Sequence, residues 1–278
     1  MNQDFLISVV VSTYNRPDAL RATLNGCAAQ TDRRFEIIVA DDGSTHSTRT
    51  AIEHAAQQLP VPLEHVWHPD DGFRLAAIRN RGIARARGAY LIFLDGDCVP
   101  QADFIARHRA LAATGAFVTG SRILLGSALT AAALDGRVDL AGRNPLFWLR
   151  ARLRGDANKI LPLFVKLPAG LAARRVDGFR WRGIKGCNFA VWADDLLKVN
   201  GFDESFTGWG HEDADLAARL HNASIMRRNG FMATEVLHLW HREQPRERES
   251  VNRDRVRQRL ADHCIAAQTG LAQLRDPS

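Results

Sequence analysis

The sequence predicts an α/β fold built on a mostly parallel central sheet flanked by helices. Three observations carry this expectation. Strand, polar turn and helix follow one another repeatedly through the first third of the chain, the pattern of successive βαβ units. The strands are near-continuous apolar runs, as expected where both faces are covered. Three of the strand ends carry acidic turns, and such turns should converge on the edge of the sheet where open α/β proteins bind ligands.

Residues 6–13, Leu-Ile-Ser-Val-Val-Val-Ser-Thr, form the first strand, and Pro17 suits the opening turn of the helix behind Tyr14-Asn15-Arg16. A second apolar strand, 35–40, ends at Asp41-Asp42-Gly43-Ser44-Thr45 and leads to a helix over 47–58. A short third strand, 63–67, reaches Asp70-Asp71-Gly72-Phe73-Arg74, and a helix over 76–87 carries Arg79 and Arg81 near its start. The fourth strand, Tyr-Leu-Ile-Phe-Leu at 90–94, stops at Asp95-Gly96-Asp97. Side chains alternate along an extended chain, so Asp95 and Asp97 point the same way and offer hard oxygens to Mg²⁺ or Mn²⁺. A metal with so few protein ligands draws phosphate oxygens into its shell. A helix over 101–113 and a fifth strand over 117–125 complete this half.

Composition narrows the classes. The chain has 278 residues, 46% hydrophobic and 24% charged, enough for one large domain. No apolar run approaches the roughly 18 residues of a membrane span, and Met1-Asn2-Gln3-Asp4 lacks the basic start of a signal peptide. A cytoplasmic location is expected. Cys27, Cys98, Cys187 and Cys264 are far apart and show no zinc or disulfide spacing. With 37 basic against 31 acidic residues, a net charge of +6 and a pI near 9.6, the chain favours anionic partners. No Gly-x-Gly-x-x-Gly follows the first strand and no Gly-x-x-x-x-Gly-Lys loop occurs, which argues against a dehydrogenase or P-loop site.

Val10-Val11-Ser12-Thr13-Tyr14-Asn15-Arg16, Asp41-Asp42-Gly43-Ser44, Arg79-Asn80 and Asp95-Gly96-Asp97 come in an order and spacing that resembles family 2 glycosyltransferases of the GT-A (nucleotide-diphospho-sugar transferase) fold. The resemblance implies a donor-binding set of Thr13, Tyr14, Asn15, Arg16, Asp42, Arg79, Asn80, Asp95 and Gly96. Within it, Asp42 would accept from a uracil N–H, and Arg79 and Asn80 would lie near ribose and diphosphate. Asp97 would bind the metal directly, with Asp95 nearer the ribose or a metal-bound water.

Residues 127–182 differ in character. Arginines and lysines are interleaved there with Phe147, Trp148, Leu149 and other apolar residues, a composition that suits an anionic membrane surface, an acceptor-binding insertion, or an ordinary excursion with snorkelling arginines. Regularity returns with a strand over 186–192 and a helix over 194–199. Gly208-Trp209-Gly210-His211-Glu212-Asp213-Ala214-Asp215-Leu216 then opens a helix whose first turn is acidic. A strand expected over 234–237 precedes His238-Leu239-Trp240-His241. This region is similar to β-1,4-galactosyltransferases and bacterial chondroitin-polymerase-type transferases. The similarity implies Asp213 as catalytic base, Glu212 as a hydrogen-bonding partner of acceptor or donor sugar, and Trp209 with Gly210 as a sugar platform. It makes His241 the metal-binding histidine, with His238 the weaker ligand. Mixed charge over 242–259 predicts a solvated helix, continuing to 274.

The organisation expected is a single catalytic domain over 1–242 followed by a helical tail over 243–278. Its parts are a nucleotide-sugar half over 1–125, the basic insertion over 127–182 and an acceptor half over 183–242. The function expected is a metal-dependent, inverting transfer from a UDP-sugar to a glycan or glycolipid acceptor. Mn²⁺ is preferred to Mg²⁺ because histidine joins the oxygen ligands. Peripheral contact with the cytoplasmic face of the inner membrane fits the basic surface, and no nucleic-acid partner is expected. The alternatives are a sugar nucleotidyltransferase, and a nucleic-acid- or membrane-binding protein with an inactive transferase-like core.

Overall fold

Four parallel strands lie in the order β3-β2-β1-β4 at one side of an eight-stranded sheet: β1 (Ile7–Thr13), β2 (Phe35–Asp41), β3 (Leu63–Trp67) and β4 (Tyr90–Asp95). The computed structural model describes residues 4–208, 210–242 and 249–275. Helices α1 (Pro17–Ala28), α2 (His46–Gln58) and α3 (Leu75–Arg85) make the crossovers. The register aligns Thr13 with Asp41, Asp41 with Trp67, and Ser12 with Asp95, so all four strands end along one edge.

Alternation within these strands explains their unbroken apolarity. Val9, Val11, Ile92 and Leu94 face a core shared with α1 and α2, whereas Val10, Leu91 and Phe93 face one shared with α3 and the C-terminal helices. Phe93 meets Phe202 edge to face at 5.0 Å. Truncating such a buried phenylalanine to alanine costs about 3–5 kcal/mol.

Beyond β4 the chain makes β5 (Cys98–Pro100), α4 (Phe104–Leu111), β6 (Ala116–Thr119) and β7 (Arg122–Leu124). The single strand expected over 117–125 is thus two strands in two sheets. Gly120 marks the crossing: its N–H donates to the Asn188 carbonyl, and a β-carbon there would lie 2.1 Å from the Asn188 side chain. The segment over 127–182 holds α5 (Ser127–Leu134), α6 (Pro145–Leu153), the one-turn α7 (Leu161–Phe164) and β8 (Arg175–Val176). Then come β9 (Asn188–Trp192), α8 (Ala193–Lys198), α9 (Glu212–Asn222), β10 (Met226–Asn229), β11 (Val236–His238), α10 (Glu249–Ala261) and α11 (Leu271–Arg275). Strand β9 pairs antiparallel with β4, and the large sheet continues β9-β6-β10-β8. A second sheet, β5-β11-β7, lies beside it. Among the described residues no helix is long and apolar enough to cross a membrane.

The charge alternation of α10 does not leave it wholly solvated. Asn252 and Val256 are buried, and Arg259 pairs with the buried carboxylates Asp203 and Asp215. A buried acid pair of this kind needs a cation to offset its desolvation. Arg219 supplies one to Asp215 from within α9 at 2.7 Å, and Arg259 adds a second from a helix that sequence periodicity marks only as polar.

Candidate active site

Pairing of β5 with β11 builds the centre of the site. His238 lies opposite Cys98 in that antiparallel ladder, and the Leu239 N–H donates to the Asp97 carbonyl at 2.9 Å. The second acid of the Asp95-Gly96-Asp97 turn is thereby held against the histidine segment more than 130 residues away in the chain. His238 Nε2 lies 3.8 Å from Asp97 Oδ1, and His241 Nε2 lies 3.4 Å from Asp97 Oδ2. The His241 Nδ1–H donates to the Arg242 carbonyl at 2.8 Å. A carbonyl can only accept, so this bond puts a proton on Nδ1, and Nε2 is the ring nitrogen that faces Asp97.

Burial, opposed by Asp97, holds the His238 imidazole down to about 4, so the ring is neutral at physiological pH. Asp97, Cys98 and His238 each place one donor atom within 4.8 Å of the others. The Cys98 thiol donates to Asp97 Oδ1 at 3.6 Å, and burial raises it well above the usual thiol range, so it stays protonated. The neutral His238 imidazole, the His241 ring beside it and the Asp97 carboxylate fit a divalent cation with mixed nitrogen and oxygen preference. These residues therefore suit Mn²⁺ or Mg²⁺.

Gly96 permits the turn. Its N–H donates to the Ser12 carbonyl at 2.7 Å, and a β-carbon would come within 2.9 Å of that same oxygen. Nearby, the buried Thr13 hydroxyl has no hydrogen-bond partner among the described residues.

Arg79 organises the acidic groups from beneath. It is 1% exposed. Its Nη2 donates to Asp95 Oδ1 at 2.9 Å, Nη1 to Glu212 Oε1 at 3.1 Å, and Nε to Ser12 Oγ at 3.1 Å. Arg79 and Asn80, expected near ribose and diphosphate, make their own hydrogen bonds within the protein. Asn80 is fully buried, donating to the Phe202 carbonyl and Glu204 Oε1 while accepting from the Phe202 N–H. Both residues position other groups, because each has its polar atoms committed within the protein.

The first turn of α9 delivers Glu212 and Asp213, where the helix's positive end favours acids. Burial and the adjacent Asp213 raise the Glu212 carboxyl to about 7, against the pull of Arg79. Asp213 Oδ2 accepts the Gly186 N–H and Oδ1 the Ala214 N–H, both at 2.7 Å. A β-carbon on Gly186 would sit 3.1 Å from Arg79 Nη1 and 3.3 Å from Asp213 Cβ, so that glycine admits both side chains. Gly210, at φ +100°, presents its carbonyl to Asn252 Nδ2 at 2.9 Å. Trp209 lies outside the described residues.

At the far end of the strand edge, Asp42 Oδ1 meets His68 Nε2 at 2.7 Å and Oδ2 accepts the Arg74 N–H at 3.0 Å. Burial raises its carboxyl despite both contacts. Tyr14 donates its hydroxyl to Asp70 Oδ2 at 2.9 Å, and Asn15 Oδ1 accepts from the Thr45 N–H at 2.9 Å. Arg16 donates to Asp18 at the start of α1. The site residues that sequence reasoning passed over are Ser12, His68, Asp70, Cys98 and Gly186. The Asp70 turn was visible as a third acidic strand end; Ser12 and Gly186 carry no local signal.

Comparison with known proteins bears on the family and the fold. Residues 177–242, which carry Glu212, Asp213 and His241, match the N-terminal domain of galactosyltransferase. Validoxylamine A glucosyltransferase of Streptomyces hygroscopicus subsp. jinggangensis is 32% identical over 87% of this chain and 56% of that protein. Chondroitin synthase of Escherichia coli is 26% identical over 89% of this chain and 36% of its own length. The chain thus spans about half the length, or less, of these relatives. Staphylococcus aureus TarS 1–349 in complex with UDP has a TM-score of 0.62 at 15% identity, over 96% of this chain and 68% of that one. A mannosyltransferase from Pyrobaculum calidifontis, in complex with GDP-Man and Mn²⁺, has a TM-score of 0.56 at 19% identity, over 99% and 65%. These likenesses establish the GT-A fold. Residues 8–163, more than half of the chain and including the Asp42, Asp95 and Asp97 turns, match glycosyl transferase family 2, and the chain belongs to that family.

Proposed function

We propose that the chain is an inverting glycosyltransferase that moves a sugar from a UDP-sugar to a hydroxyl of a glycan or glycolipid acceptor, in surface polysaccharide or lipopolysaccharide synthesis. The observation that carries this reading is that His238 and His241 both flank Asp97 while Arg79 joins the neighbouring Asp95 to Glu212 of α9. The names of the validoxylamine and chondroitin relatives support sugar transfer. The Mn²⁺ held with GDP-Man by the mannosyltransferase supports a divalent metal.

Asp97, His241 and His238 would hold Mn²⁺ or Mg²⁺, which when bound supplies positive charge against the departing diphosphate. Asp95, fixed by Arg79, faces the ribose side. Asp213 takes the acceptor hydroxyl's proton as that oxygen attacks the anomeric carbon in line. Two N–H donors fix the orientation of this carboxylate, and such positioning is a large share of the rate gain. Glu212, half protonated near neutral pH, can donate to or accept from a sugar hydroxyl. Asp42 and Tyr14 would border the base. The site works at the cytoplasmic face of the inner membrane in this reading.

UDP release from a panel of UDP-sugars, with and without Mn²⁺, tests the proposal. Metal-dependent release from one donor supports it. No release and no UDP binding with any metal would contradict it.

A further inference from the structure

Six large apolar side chains stand exposed within twenty residues: Leu146, Leu149, Leu153, Leu161, Phe164 and Val165. Three of them form a stripe on α6. Leu146, Leu149 and Leu153, at i, i+3 and i+7, are 52%, 47% and 78% exposed, while Trp148 and Ala151 on the opposite side are buried. At about 100° per residue, Arg150 and Arg154 fall on one flank of the leucine stripe and Arg152 on the other. Among the described residues these three arginines have no acidic partner, and all are exposed. Between residues 141 and 170 there are six basic side chains against the single acid Asp156.

A stripe of leucines between rows of unpaired arginines is complementary to one kind of surface. The leucines enter the acyl boundary of a bilayer, and the arginines snorkel to its anionic headgroups. We propose that the outer face of α6, with the turn that follows to Val165, docks this chain on an anionic phospholipid bilayer. The inner face of α6 places the docked surface close to the candidate site. Trp148 and Ala151 share a core with Val99, Ile123 and Leu237 of the β5-β11-β7 sheet that carries His238, and with Leu239 just after it. On the transferase reading above, docking brings a lipid-borne acceptor toward Asp213; the docking itself does not depend on that reading.

Flotation of the full chain with vesicles decides the matter. Vesicles of phosphatidylcholine mixed with phosphatidylglycerol should carry the protein upward, and vesicles of phosphatidylcholine alone should not. Arg150→Gln and Arg154→Gln should each weaken binding about fivefold. Leu149→Asp with Leu153→Asp should weaken it at least about tenfold. UDP release from free UDP-sugar, measured on the same preparations, should be unchanged in all variants. Flotation of a protein that releases no UDP would leave docking standing and remove the transferase reading. Docking is overturned if the wild type fails to float with the anionic vesicles, floats equally with neutral ones, or floats no better than the variants. It is also overturned if sedimentation shows a dimer that the leucine variant dissociates while no vesicle is bound. The arginine variants keep the test decisive should the leucine pair fail to fold.

Discussion

Replacing Arg79 by methionine tests whether one buried guanidinium holds the acidic cleft together. The substitution keeps most of the volume but removes two ion pairs, at 2.9 Å to Asp95 and 3.1 Å to Glu212, and a bond to Ser12. Breaking a buried pair from one side costs about 3–5 kcal/mol, because the other charge is left uncompensated. The Asp95 and Glu212 side chains are 34% and 11% exposed, so they regain some hydration or take up a proton. The lower end, about 3 kcal/mol, is therefore expected. With a urea slope of about 3 kcal/mol/M, the unfolding midpoint falls by about 1 M. A second substitution isolates the cause. Adding Glu212→Gln to Arg79→Met removes one of the stranded carboxylates, so the pair should be less destabilised than the sum of the single changes by about 1–2 kcal/mol. A midpoint within about 0.2 M of wild type, or strict additivity in the cycle, would refute the bridging role.

Three further outcomes are expected. Because the Glu212 carboxyl is raised from 4.5 to about 7, the folded state binds the extra proton between those values; the stability it contributes is full below pH 4.5 and is lost as the pH rises to about 7. The unfolding free energy of wild type relative to Glu212→Gln, from urea titrations at each pH, should fall across that window by about 3 kcal/mol, and parallel profiles would contradict the assignment. Gly186→Ala inserts a methyl group against Arg79 and Asp213 and should lower kcat about tenfold to a hundredfold; a wild-type rate would show that the contact relaxes without consequence. Asp213→Asn should keep UDP affinity in calorimetry while lowering kcat at least about a hundredfold, and normal turnover would place the base elsewhere.

The parallel half was legible because strands covered on both faces cannot alternate, so β1, β2 and β4 read as unbroken apolar runs ending in acidic turns. Their carboxylates announced the edge of the sheet. Strand β10 was not legible, since Met226-Arg227-Arg228-Asn229 looks like surface. Its arginines are satisfied by carbonyls of residues far away in sequence: Arg227 by Arg180 and Arg182, Arg228 by Leu111 and Ala169. The same kind of tertiary satisfaction holds Arg79 and Asn80, whose charge and amide bond to Asp95, Glu212, Glu204 and the Phe202 backbone. His241 and Asp97 were legible only as separate motifs. The β5·β11 ladder that joins them is three residues long in each strand, too short for a periodic signal.

Calorimetric titration of UDP into the wild type and Asp97→Ala, with and without Mn²⁺, tests most directly whether the Asp97–His238–His241 cluster holds the metal that binds the donor. Mn²⁺ should tighten UDP binding in the wild type and have no effect in Asp97→Ala. Equal metal dependence in both proteins would contradict it.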